Sequence, residues 1–176
     1  LRNMIEVLRP YRNEAGRHLL LNSPAAWDLL VRMYESEYPT ASFLEYFWSW
    51  RALMGGLYSV LLGDLPQAGV YHTVSTGYAR LPPARAFLET GRPVLLTEHG
   101  IYTNERRIEI GMANWLQGSK TTSLSVTDNR LTLKDMWVNT FVGYSRACYQ
   151  SASEIITLYG GNQQFQLQDG SDPGKM

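Results

Sequence analysis

Two short apolar runs, each carrying a histidine and closed by a glycine turn, constrain this chain more than anything else in it. The first is Val70-Tyr71-His72-Thr73-Val74-Ser75-Thr76-Gly77, and the second is Pro93-Val94-Leu95-Leu96-Thr97-Glu98-His99-Gly100-Ile101-Tyr102. Each has the length and β-rich composition of a buried parallel strand, and each is followed by a stretch that reads as a helix. Strand, helix and strand make a βαβ unit, for which a right-handed crossover is expected. In an open α/β sheet, ligands gather beyond the carboxyl ends of the strands, so both histidines are expected to face one crevice.

The rest of the chain organises around that unit. Residues 1–22 carry no decisive period, and His18-Leu19-Leu20-Leu21 fits a short strand or a helix end. Ser23-Pro24 reads as an N-cap with proline at the first helical position, followed by Trp27, Leu30, Val31 and Tyr34 on one face; Pro39 ends that helix. Ser42 and Glu45 have the capping-box spacing and open a helix running to about Leu62. Its stripe of Phe43, Phe47, Trp50, Met54 and Leu57 is read as core packing, not as a ligand or partner groove. Residues 63–69 read as a loop, 70–74 as a strand, 76–89 as a helix and 93–98 as the second strand. A helix is expected over 104–116, a surface loop over Gln117 to Asn129, and a helix from Thr132 to Gln150 with Leu133, Trp137, Phe141, Tyr144 and Cys148 inward. Glu154 to Leu158 read as a third parallel strand, with a further helix starting near Asn162. The pattern predicts α/β: a Rossmann-like parallel sheet flanked by helices, in three layers.

Composition narrows the function classes. A chain of 176 residues buries one sizeable core, which favours a single domain. Sixteen basic against 16 acidic residues give no electrostatic case for nucleic acid or an anionic membrane surface. No apolar run reaches the ~18 residues that span a bilayer, so no direct membrane insertion is expected, and no signal peptide is visible. The single Cys148 leaves no partner for an internal disulfide or a cysteine-built zinc site and suits a reducing compartment. With Leu1 first and Met176 last, the chain reads as a piece cut from a longer protein.

His99 is the strongest single candidate for chemistry, because it follows an apolar strand and precedes a glycine, where the backbone turns and the imidazole can face the crevice. The alternative is a structural, hydrogen-bonding histidine. His72 is weaker, since its position can equally face a helix layer. Three histidines, with His18 remote in pattern, do not make a metal site, and no metal is expected. Ser75 is a poor match to the nucleophile of a G-x-S-x-G elbow, because Thr73 replaces the first glycine and no aspartate lies between Ser75 and His99. Ser75, Thr76 and Gly77 fit better as a helix cap, with the Thr76 and Gly77 amides open to an anionic or hydroxylated ligand. The segment from Tyr102 to Glu109 reads either as a solvated first helical turn or as a source of phosphate contacts from Arg106 or Arg107. Gly55-Gly56 and Gly160-Gly161 lack the spacing and strand context of a dinucleotide fingerprint.

At His72 through Gly77 and at Leu96-Thr97-Glu98-His99-Gly100-Ile101-Tyr102-Thr103-Asn104-Glu105-Arg106-Arg107, the chain resembles the PelF-type glycosyltransferases of bacterial Pel exopolysaccharide biosynthesis. The resemblance continues through Ser42 to Gly56, Phe141 to Cys148, Leu158 to Asn162 and Asp169-Gly170, and so covers most of the chain from about residue 20. The Leu-Thr-Glu-His-Gly-Ile-Tyr string is specific, whereas His-x-x-Ser-x-Gly is shared loosely by retaining family 4 enzymes. The resemblance implies a cytoplasmic GT-B enzyme whose two Rossmann-like domains face across a cleft. It moves a hexose or N-acetylhexosamine from a UDP-sugar to a growing polysaccharide with retention of configuration, and it needs no cofactor and no metal.

The resemblance gives His99 the role of active-site histidine and makes His72, Ser75, Thr76, Gly77, Gly100, Tyr102, Arg106 and Arg107 candidate substrate contacts. It also implies that residues 1–176 are an incomplete N-terminal, acceptor-side domain. The family's opening glycine-rich loop and its donor-binding C-terminal domain are missing, so this piece is not expected to turn over alone. The rival reading, from another class, is a non-catalytic interaction module. In it, the 42–62 face and the 117–129 loop dock a membrane polysaccharide synthase.

Overall fold

A computed structural model describes residues 1–74, 76–116 and 131–176. The chain opens with helices α1 (Arg2–Leu8), α2 (Arg17–Asn22), α3 (Pro24–Glu37) and α4 (Phe43–Leu62). Strand β1 (Tyr71–Val74), helix α5 (Leu81–Thr90) and strand β2 (Val94–Glu98) come next. Helices α6 (Tyr102–Met112) and α7 (Leu133–Ser151), strand β3 (Glu154–Thr157) and helix α8 (Gln163–Gln168) complete it. The three strands lie parallel in the order β1-β2-β3, with Tyr71 opposite Val94 and Leu95 opposite Glu154. The fold is thus a Rossmann-like α/β arrangement. The expected surface loop over Gln117 to Asn129 lies outside the described residues.

Local chemistry explains most boundaries. Ser23 Oγ accepts from the Ala26 amide at 3.1 Å with Pro24 at the first helical position, and Ser42 Oγ accepts from the Glu45 amide at 3.5 Å. Thr132 and Asp135 form a full capping box at the start of α7. Gly91 ends α5 in a left-handed conformation at φ 71°, its amide bonded to Phe87 O. Residues 1–22 are helical where they are regular, which settles the ambiguity at His18 to Leu21. β1 begins at Tyr71, whose amide donates to Pro93 O, and the chain after it makes a 3₁₀ turn (Tyr78–Arg80) before α5 begins. α6 starts two residues earlier than expected and stops at Met112, with Gly111 weakening its last turn; Leu116 is buried beyond the helix.

The predicted stripes are rotated. On α3, Ala26 and Leu30 are buried, while Trp27 is 50% exposed and lays its inner edge on Phe43 and Phe47. On α4, the buried positions are Tyr46, Ser49, Trp50, Leu53, Leu57, Tyr58 and Leu61. Phe43, Phe47 and Met54 are only partly covered or exposed. The cause is that α4 packs on two sides: Phe43, Phe47 and Tyr46 form its seam with α3, where Tyr46 Oη donates to Leu30 O at 3.1 Å, and Trp50, Leu53 and Leu57 join the larger helical cluster. On α7 the expected row holds except at Trp137, which is half-buried.

The larger core therefore lies among helices, with Leu30, Trp50, Leu53, Leu57, Leu81, Ile110, Phe141 and Tyr144 in one cluster. A smaller cluster of Leu96, Tyr149, Ala152 and Ile155 seats the sheet on α7. Alternation sends Val94, Leu96 and Glu98 inward. The opposite sheet face carries His72, Val74, Leu95, Thr97, Glu154 and Ile156, with Val74 50% and Ile156 44% exposed. Among the described residues the helical layers stack on one side of the sheet, so the third layer expected on its other side is not formed by them.

Arg85, fully buried, joins α5 to the end of α4 through Val60 O at 2.6 Å and Gly63 O at 2.5 Å, and pairs with Glu89 at 2.7 Å. Arg12 reaches Glu89 from the amino-terminal segment at 2.6 Å. Burial pushes the Glu89 carboxyl up, but Arg85 and Arg12 outweigh it and hold it below its ordinary value of 4.5. A carboxylate whose folded value is depressed stabilises the fold above that ordinary value and loses the contribution as pH falls through the folded one. Wild-type melting temperature is therefore expected to fall below about pH 4.5 more steeply than that of Glu89→Gln, measured by thermal melts across pH. The α4 assignment makes a second expectation. Leu53→Ala, at a position 1% exposed, is expected to cost about 2–5 kcal/mol in denaturant unfolding. Leu44→Ala, at 64% exposed, is expected to stay within about 0.5 kcal/mol.

Candidate functional site

The carboxyl edge of the sheet is built from the segments that leave each strand. After β2 the alternation sends Glu98 inward and His99 outward: Glu98 is fully buried and His99 is exposed. Gly100 and buried Ile101 then lead into α6. After β1, Thr76 is buried and Gly77 turns the chain at φ 124° into the 3₁₀ turn that carries Arg80. After β3 come exposed Leu158 and Tyr159. The Leu158 amide donates to Glu98 O at 3.3 Å, so the β3 exit lies beside the β2 exit and next to His99. The strand order does not reverse among β1, β2 and β3. The crevice is therefore located by the strand ends alone and not by a switch of direction.

The two histidines do not share one situation. His99 stands just past the end of β2. His72 sits within β1, opposite Leu95, on the exposed sheet face, with its Nε2 2.8 Å from Thr97 Oγ1. His18 lies in α2, remote in the chain from both. Among the described residues no group of three or more His, Cys, Asp or Glu side chains is placed to hold a metal ion. Ser75 lies outside the described residues.

Gly77, Tyr102 and Arg106 are brought together. A Cβ on Gly77 would lie 2.6 Å from the Tyr102 ring. The Arg106 guanidinium covers that ring at 4.9 Å, and Phe141 meets it edge-on at 5.8 Å. Burial pushes the Tyr102 hydroxyl up. Both terminal nitrogens of Arg106 bond Glu109, at 2.6 and 2.7 Å. Its fork is thereby committed within α6. Arg107 is exposed, with a long contact of 3.5 Å to Asn104 Oδ1. Gly100 leaves room for Glu105, whose Oε1 would lie 2.8 Å from an added Cβ. Cys148, buried on α7, has its thiol pushed up to about 12 by burial, which makes it a packing residue at neutral pH.

Beneath His99 lies a polar knot that reading the sequence did not anticipate. Glu98 Oε2 accepts from Tyr149 Oη and from Gln166 Nε2, each at 2.7 Å, and Oε1 accepts from Thr76 Oγ1 at 3.2 Å. Arg80 Nη1 stands 3.9 Å from Oε1, and both side chains are fully buried. Thr157 donates to Gln166 Oε1 at 2.8 Å, and Thr103 donates to Asp169, so α6 and α8 join the same assembly. Burial lowers the Arg80 guanidinium to about 10 against the opposing pull of Glu98, and burial with the neighbouring Glu98 charge pushes the Tyr149 hydroxyl up. The one sequence signal for Glu98 is period-two alternation with Val94 and Leu96, which places an acid on the inward face of a strand.

Over residues 1–174 the chain matches the family described as a domain of unknown function, DUF3492. The chain belongs to that family. No curated protein and no solved structure matches it. No helix among the described residues is long and apolar enough to cross a membrane.

The turn at Gly77 generates a stability expectation. Gly77→Ala combines a left-handed backbone with a collision against Tyr102, so it is expected to cost more than about 1–3 kcal/mol, the range for backbone strain alone. Gly91→Ala, also at positive φ but with open space around it, is expected to stay within that range. Denaturant unfolding of both variants makes the comparison, and equal losses would remove Tyr102 from the account.

Proposed function

We propose that this chain is part of the N-terminal, acceptor-side domain of a retaining GT-B glycosyltransferase of the PelF type. The whole enzyme moves a hexose or N-acetylhexosamine from a UDP-sugar to a growing bacterial exopolysaccharide. The observation that carries the reading is His99, exposed immediately beyond the central strand of a Rossmann-like parallel sheet and mounted on a residue anchored in the protein interior. The specific Leu-Thr-Glu-His-Gly-Ile-Tyr resemblance and a family associated with glycosyltransferase-like proteins support it.

In this reading His99 contacts the transferred sugar at the reaction centre. The turn at Thr76 and Gly77 shapes one wall of the crevice, Tyr102 backs that turn, and Gly100 lets the main chain come close to the sugar. Arg107 is better placed than Arg106 to meet an anionic group, because Arg106 is held by Glu109. The leaving diphosphate is stabilised by the other half of the enzyme, where fixed positive groups act on charge that develops in the transition state. The protein works in the cytoplasm, without cofactor or metal.

A second reading has its own observation. Leu44, Trp48 and Trp115 are exposed and line an apolar groove of about 450 Å³ with Trp137. Such a surface suits an interaction module docking a membrane polysaccharide synthase. UDP release by the full-length protein, assayed across several UDP-sugars, separates the readings. For the enzyme, His99→Ala is expected to lower kcat by ~10²-fold or more, since a group acting mainly in the transition state is lost. The same variant is expected to cost about 1 kcal/mol or less in stability, as for a surface substitution. Near-normal turnover in that variant, or activity lost only in step with unfolding, would return His99 to a structural role.

A further inference from the structure

The carboxylate of Glu98 is where the ends of four elements meet: β2 itself, the turn after β1 through Thr76, α7 through Tyr149 and α8 through Gln166. The main chain is pinned at the same point, because Glu98 O accepts from the Leu158 amide. His99 is the next residue. Any movement of Glu98 is therefore passed to His99 through one peptide unit.

Arg80 sharpens the case. It is fully buried, and none of its three guanidinium nitrogens has a hydrogen-bond partner among the described residues. Charge holds it, at 3.9 Å from Glu98. A buried ion pair of this kind is a poor way to gain stability, since well-packed apolar side chains of similar volume commonly do as well or better. Stability therefore does not account for it, whereas fixing the geometry of the strand ends does.

We propose that Arg80 and Glu98 are positioning residues: a buried ion pair that locks the turn after β1 to the end of β2 and so sets the place of His99 in the crevice. The proposal rests on the glycosyltransferase reading for its kinetic consequence only, and its structural consequence is independent of it.

The test uses R80M, E98Q and the double variant R80M/E98Q in the full-length protein. Each single variant leaves one buried charge uncompensated and is expected to lower the melting temperature. The double variant is expected to recover most of that loss, and it is the informative one. Well below its melting temperature, amide exchange at Thr76–Arg80 and Thr97–Ile101 is expected to quicken by ~10-fold or more, while α3 and α4 keep their protection. In the UDP-release assay its kcat is expected to fall ~10- to 100-fold with KM nearly unchanged, the signature of a displaced reacting group. Wild-type exchange at Thr97–Ile101, or exchange raised equally in every element, overturns the proposal. Local exchange in a protein whose wild type releases no UDP from any sugar donor upholds the positioning and removes the glycosyltransferase reading instead. If R80M does not fold, E98Q, nearly isosteric with the native side chain, is read by the same exchange measurement with the same two outcomes.

Discussion

A carboxylate in the protein interior sets the terms for everything around the sheet's carboxyl edge. Removing a charged group from water costs several kcal/mol, and the cost is offset only when good geometry and further hydrogen bonds satisfy it. Glu98 meets that demand with a tyrosine, a glutamine, a threonine and a guanidinium drawn from separate elements. The consequence runs both ways. The donors make the buried charge tolerable, and the charge makes the donors interdependent, so the ends of β1 and β2 and the helices α7 and α8 hold one arrangement together.

That knot rests on a helical foundation. Most of the apolar mass lies among the helices; α5 lies against β1 and β2, and α7 presents Tyr144 and Cys148 to the helical core and Tyr149 to the strands. One helix thus links the bulk of the hydrophobic stabilisation to the residue that anchors β2. Because protein interiors are close-packed and transmit strain, a cavity opened far from the crevice at Trp50 or Leu53 has a mechanical route to it through α7. Helices that contribute no side chain to the candidate site, α3 and α4, thus bear on its rigidity through α7.

Much of this was legible in the sequence because it depends on local signals. The capping serines at Ser23 and Ser42, the stop at Gly91 and the β-rich apolar runs of the strands each act within a few residues, and the structure obeys them. The orientation of α4 was not legible. It presents bulky residues almost all round, and which row is inward depends on the helices packed against each side. Nor was the separation of the histidines, since His72 lies inside β1 and His99 just past the end of β2, a difference set by where each strand ends and not by their immediate neighbours. The Arg80–Glu98 pair escaped for a related reason: an arginine in a turn and a glutamate at a strand end read as solvent-facing until the tertiary fold closes over both.

The order β1-β2-β3 carries a consequence for assembly in time. Each strand pairs with the one made before it, so no strand has to wait for a later segment to be inserted between itself and its neighbour. Pairing can advance in the direction of synthesis, and the first crossover, through α5, closes a short loop at modest entropic cost. The second crossover is much longer, holding both α6 and α7. Joining β3 is the step with the larger sequence separation, and it is also the step that delivers Gln166 to Glu98. Of the two strand pairings, the one that completes the crevice edge is therefore the one that costs more loop-closure entropy.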